Sequence, residues 1–173
     1  MKVLAKVLLV AGVVIGLISA AMATTDEAQS TVTITFSEIS ELAVSGNPGL
    51  LTIAAPTTAG TLPAEQQIAG TTMSWTSNVA TGTRKITGSL ATLFEGIDLY
   101  ATVAASGGTG DFGSSAGPLK FAIAATAYNF VTGIGNGYIT AQTITFKATP
   151  TAMVTPYTET AKAVTWTLTE DGA

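Results

Sequence analysis

The sequence predicts an all-β protein that folds as a single antiparallel β-sandwich, of the immunoglobulin-like or jelly-roll-like kind. Apolar and polar residues alternate with a period of two in many short segments, as in strands that bury one face. Glycine-rich clusters separate these segments and are typical of turns. After residue 23 no stretch carries a sustained helical period, and a length of 173 residues suits one domain.

The first 23 residues predict an export signal. A short basic start precedes an uncharged apolar stretch at residues 7–18, and Ala21 and Ala23 form an A-x-A cleavage site. We expect the mature chain to begin at Thr24, with one sandwich domain over residues 24–173. The alternatives are a retained membrane anchor, for which the apolar stretch lies at the lower length limit, and a pilin-like helix, for which no prepilin cleavage pattern stands out.

Residues 31–36 are the first predicted strand and alternate strictly. The apolar positions are Val32, Ile34 and Phe36, and the polar positions between them are Thr31, Thr33 and Thr35. Successive side chains of a strand face opposite sides of the sheet, so this pattern places all three apolar groups on one face. The segment is predicted either to complete its own sandwich or to pair with a neighbouring copy.

Further strands are predicted from the same alternation. The clearest patterns lie at residues 98–103, 119–124, 143–147 and 164–169, and weaker ones at 42–44, 50–54, 72–77 and 84–90. Glycine-rich runs at 46–49, 107–110 and 133–137 predict turns, because glycine adopts positive φ at little cost. Residues 63–68 are compatible with a single turn of helix.

Composition excludes several function classes. The chain has no His and no Cys, which excludes a His-based triad, a Cys nucleophile, a disulfide framework and a structural zinc site. Its net charge of −4 disfavours nucleic acid, which needs a basic patch. Loss of Lys2 and Lys6 with the signal leaves 5 basic against 11 acidic residues, a net charge of −6. We expect neither enzymatic activity nor a cofactor.

The remaining polar and aromatic candidates are few. Glu95 and Asp98 are close in sequence, but the segment is better explained as a turn that leads into a strand. Asp111 lies in a glycine-rich stretch and is one carboxylate where calcium needs 6–8 oxygens. Trp75 and Trp166 each alternate with polar neighbours, which favours the core over sugar stacking and requires a hydrogen-bond partner for each indole N–H.

The sequence Val-Thr-Trp-Thr-Leu at residues 164–168 resembles the distal W-x-L motif of the WxL surface domains of Gram-positive bacteria. The preceding residues 157–161 resemble the Tyr- and Thr-rich lead-in to that motif. The resemblance implies a secreted, Thr- and Gly-rich β-protein that binds the cell wall. It makes Trp166 the candidate glycan contact.

The chain is also similar in design to small exported fibre subunits, of the fimbrial or TasA-like kind. In these proteins an N-terminal β-segment completes the sandwich of a neighbour, and residues 24–36 would be that segment. We therefore expect a prokaryotic secreted or cell-surface protein, structural or adhesive, that forms filaments or extracellular matrix by pairing strands with identical subunits. A module that binds cell-wall glycan or another polysaccharide is the alternative. A periplasmic location stays open, and we expect no membrane contact after cleavage.

Overall fold

The computed structural model describes residues 31–155, 157 and 161–172, and in this part of the chain it contains eight β-strands and no helix. The all-β prediction is confirmed. Within the same residues no helix is long and apolar enough to cross a membrane. The predicted cleavage site, with Ala21, Ala23 and Thr24, lies outside the described residues.

The strands are antiparallel wherever they pair. Their bounds are β1 (Ile39–Ser45), β2 (Gln66–Asn78), β3 (Arg84–Leu90), β4 (Ile97–Val103), β5 (Thr109–Ser115), β6 (Leu119–Lys120), β7 (Tyr128–Pro150) and β8 (Val164–Glu170).

Strand β7 is 23 residues long and organises the sheet. β2 and β3 follow one another along one side of it, pairing with residues 137–148 and 128–134. β4 and β5 follow one another along the other side, pairing with residues 144–150 and 131–138. β1 adds to the outer side of β2, β8 to the outer side of β3, and β6 to β4.

The sheet bends at the middle of β7. Ala141 has a positive φ of 51°, and the pairing register with β2 shifts there. The Ala141 N–H, which the ladder leaves free, donates to the Ser74 hydroxyl at 2.9 Å. A bulge of this kind bends a strand and increases its twist. The two halves of the sheet can therefore face each other in a sandwich-like arrangement.

The hydrophobic core lies between these halves. Phe121, which follows β6, packs against Phe130 of β7 with ring centroids 5.6 Å apart. Apart from Phe121, the buried apolar side chains come from β2, β3, β4 and β7, and in β2, β3 and β4 they alternate as the sequence predicts. They are Met73, Trp75, Ile86, Leu90, Ala101, Val103, Phe121, Phe130, Val131, Ile134, Ile139, Ile144 and Phe146.

Residues 31–36 form a separate unit from the sheet domain, which begins at Ser37. They are in no strand, and every one of them is exposed. The structure therefore does not contain the half-buried strand that their alternation predicts within a single chain. The second possibility left by the sequence, pairing with a neighbouring copy, is not tested by one chain.

Several other predicted elements differ from the structure. In these segments glycine or contacts with neighbouring strands determine which element forms. Residues 50–54 and 63–65 form no strand and no helix, and of the pattern at 119–124 only Leu119–Lys120 pairs. Residues 133–137 were predicted to form a turn, but they lie inside β7. Asp111 was predicted to lie in a loop, but it lies in strand β5. In this region β5 approaches β7 so closely that a Cβ at Gly137 would lie 2.8 Å from the Asp111 backbone. Glycine here serves close contact between strands.

Candidate functional site

The most distinctive exposed feature is the apolar row of residues 31–36. The side chains of Val32, Ile34 and Phe36 are 77 %, 83 % and 78 % exposed. Single exposed apolar residues are ordinary, but three large ones at alternate positions would form a continuous apolar strip if the segment became a strand. Such a strip is the face that a strand buries when it joins a sheet.

Arg84 fixes the start of β1, three residues after this row. It is 7 % exposed, and its two terminal nitrogens donate to the Ile39 carbonyl and to the Glu38 carboxylate, each at 2.6 Å. Glu38 itself is about half exposed. A buried guanidinium needs such partners, because burial of an unpaired charge is costly. The sequence carried one signal of this contact, an Arg on the apolar face of a predicted strand, and our prediction missed it.

Strand β8 is a free edge of the sheet. It pairs with β3 over all seven residues without a register shift, and among the described residues no strand pairs with its other side. Val164, Trp166 and Leu168 face the core but are only half-buried, while Thr165, Thr167 and Thr169 are exposed. The edge therefore offers unpaired main-chain groups beside an incompletely covered apolar row.

The other free edges carry features that resist pairing. β1 has the charged Glu41 at its centre. β5 contains Asp111 and a register shift, and two of its glycines, Gly110 and Gly113, have positive φ. β6 is two residues long. Charges, bulges and short strands are the ways in which sheet edges are protected from unwanted pairing.

The two tryptophans are placed differently. Trp75 is 2 % exposed and its indole N–H donates to the Phe112 carbonyl at 2.9 Å, which confirms the predicted core role and partner. The ring of Trp166 packs edge-on against Phe130, with centroids 5.0 Å apart, and lies over Gly88. This ring face is directed into the domain. Its proposed contact with glycan stays a prediction.

The carboxylates that the sequence brought to attention do not converge. Asp98 pairs with Lys120 at 2.6 Å, and this hydrogen bond raises the pKa of the lysine. Glu95 is exposed, and its carbonyl accepts the Tyr157 hydroxyl at 2.7 Å. Among the described residues no group of three or more carboxylates is placed to hold a metal ion.

A small cavity of about 130 Å³ lies beside the Asp98–Lys120 pair. Leu90, Phe94 and Phe121 contribute to its lining. Ligand pockets usually enclose roughly 300–1,000 Å³ and present several convergent polar groups. The cavity is smaller than that and is an unconvincing site for a substrate.

No protein-family model matches the sequence, and no curated protein matches it. The residues and their arrangement are therefore the basis for inferring a function. The resemblances to WxL domains and to fibre subunits remain expectations.

Proposed function

We propose that the protein is a secreted, non-enzymatic structural subunit of the cell surface, which assembles with identical copies into a filament or extracellular matrix through β-strand pairing. The observation that carries the proposal is the exposed apolar row of residues 31–36, on a segment that has the alternation of a strand and pairs with no strand among the residues that the structure describes. Burial of each large apolar side chain would contribute about 1.5–3 kcal/mol.

The chemistry of the domain supports a structural role. The candidate carboxylates are dispersed, and Asp98 is held by a lysine. The sheet also has an unpaired edge in β8, which β1 approaches without pairing with it, so the described part of the molecule carries both a segment with a strand pattern and an edge that no strand occupies. Addition of an extended segment to a sheet edge gives affinity through main-chain hydrogen bonds and register through alternate side chains.

The glycan-binding alternative has less support. It depends on Trp166, whose ring packs against Phe130 instead of facing outward. Sugar stacking requires an accessible aromatic face. A monomeric mature protein that is retained on insoluble cell wall would favour this alternative over ours.

To test the proposal, the full chain is expressed with its own N-terminus and the first residue of the exported protein is identified. That protein is then examined by electron microscopy and sedimentation. We expect a mature chain that begins at Thr24 and forms filaments or large assemblies. A mature protein that stays monomeric at high concentration would contradict the proposal.

A matched pair of variants tests the role of the apolar row. Ile34→Asn removes the central apolar group, whereas Thr33→Asn introduces the same residue on the opposite face. Both positions are exposed, so both variants should melt like the unmodified protein. We expect Ile34→Asn, like deletion of residues 24–36, to abolish assembly, and Thr33→Asn to retain it. Assembly by Ile34→Asn at the unmodified level would refute the role of this row.

A further inference from the structure

We propose that residues 31–36 of one copy pair with the free edge of β8 in a second copy. This inference rests on the proposed function and names the surface that receives the strand. The occupant is this segment, because its three large apolar side chains are exposed and alternate with threonines in the pattern of a strand. The receiving edge is identified from the residues that face each side of it.

The inward side of β8 lacks a cover that the adjacent strand has. On β3 the core-facing Ile86 and Leu90 are 0 % and 1 % exposed. One strand further out, the core-facing residues of β8 remain half-buried, and they recur at every second position as Val164, Trp166 and Leu168. A strand placed beside β8 would lay Val32, Ile34 and Phe36, which have the same spacing, against this row.

The outward side of β8 matches the segment as well. Thr167 pairs across the sheet with Thr87, and Thr165 with Ser89, so the outward face of β3 and β8 consists largely of hydroxyl side chains. When the apolar row of the segment faces inward, its three threonines face outward beside Thr165, Thr167 and Thr169. Neighbouring threonines on a sheet face form favourable cross-strand pairs.

The other edges are poorer receivers. The β1 edge would bring the Glu41 carboxylate beside an uncharged segment, and the register shift and positive-φ glycines of β5 interrupt a regular ladder. β8 has no charge, proline or glycine between residues 164 and 169. It is the edge with the longest uninterrupted and uncharged ladder among the free edges in the described part of the chain.

Disulfide cross-linking tests the pairing, and the chain is suited to it because it contains no cysteine. Thr33→Cys, carried on a chain with a mass-changing tag, is mixed with untagged Thr167→Cys, assembled, oxidised and analysed without reductant. The matched controls place the cysteine at an exposed position on the other edges, as Ala43→Cys on β1 and Ser114→Cys on β5.

We expect the mixed disulfide with Thr167→Cys to exceed those with Ala43→Cys and Ser114→Cys at least tenfold. Assembly with preferential linkage to a control edge would overturn the choice of β8 and leave the proposed function standing. Absence of assembly would overturn both. A Thr33→Cys, Thr167→Cys double variant that forms only an intrachain disulfide would show that the segment closes its own sheet, and would also overturn both.

Tryptophan quenching gives a second measurement. Trp75 is buried in the single chain, so quenching by acrylamide reports mainly on the half-buried Trp166. Pairing at β8 covers Trp166, and we expect quenching to fall at least twofold in assemblies relative to the Ile34→Asn protein. Equal quenching in the two states would overturn the inference.

Discussion

Substitution of Gly88 by Ala should weaken the domain by crowding the aromatic groups under β8. Gly88 is buried on β3, and a Cβ at this position would lie 2.6 Å from Cζ3 of Trp166 and 2.8 Å from Cε2 of Phe130. The two rings pack edge-on at an interplanar angle of 71°, so neither can retreat without displacing the other. The backbone of Gly88 is not in the left-handed region, which leaves this crowding as the dominant effect.

The magnitude follows from two opposed terms. Extra volume in a packed core costs about 1–3 kcal/mol. Replacement of a strand glycine by alanine stabilises the folded state by about 0.5–1 kcal/mol, because alanine loses less conformational freedom on folding. We therefore expect Gly88→Ala to lower the free energy of unfolding by up to about 2.5 kcal/mol, measured by urea denaturation.

A double-mutant cycle assigns the cause. In a Trp166→Leu background two of the three closest contacts at Gly88 are removed and only the Phe130 contact remains, so Gly88→Ala should cost less, with a coupling of about 0.5–3 kcal/mol. Gly172→Ala is the control, since the nearest atom to a Cβ there is 3.8 Å away, and its effect should stay within about 0.5 kcal/mol. An equal loss from Gly88→Ala in both backgrounds would refute the crowding argument.

Two further substitutions probe the polar contacts. Arg84→Met leaves the Ile39 carbonyl without its donor, so we expect a loss of about 1–3 kcal/mol and faster amide hydrogen exchange in β1. Glu38→Gln removes the counter-charge but keeps an oxygen acceptor for Arg84 at a half-exposed position, so it should cost less than Arg84→Met. Equal losses from the two variants would contradict this difference. Trp75→Phe removes the indole donor to Phe112 and some ring volume. We expect the free energy of unfolding to fall by about 1–3 kcal/mol in the same denaturation assay. An unchanged stability would show that this hydrogen bond contributes little.

The sequence predicted β3, β4 and β8 closely, but it missed the first half of β7, where the adjacent residues Phe130 and Val131 are both buried and break the alternation. The alternation at residues 84–90 predicts the observed bounds of β3, because every inward side chain of this strand is buried. The same rule failed at residues 50–54, where local alternation finds no partner strand. It also misread residues 133–137, because glycine allows both a turn and close strand packing, and the sequence does not distinguish the two.

The candidate site could be predicted only in part. The alternation of residues 31–36 is a local pattern. It predicts a strand but does not say which strand pairs with it. The receiving edge depends on which strand ends up outermost, and that is fixed by pairing between segments far apart in the chain, such as β3 with β8. Arg84 reaches Glu38 across 46 positions of sequence, a contact that no local pattern contains.

The position of Arg84 has a mechanical consequence for a fibre built in the proposed way. Tension from one neighbour would enter the domain just before Ile39, and tension from the next would leave through β8. Arg84 bonds to Ile39 and is paired in the ladder with Glu170, the last residue of β8. The pulling force would thus cross each subunit by a short route through one side chain and the edge of the sheet. A longer route runs through the ladders of β2, β7 and β3, so Arg84 would share the load with the central strand.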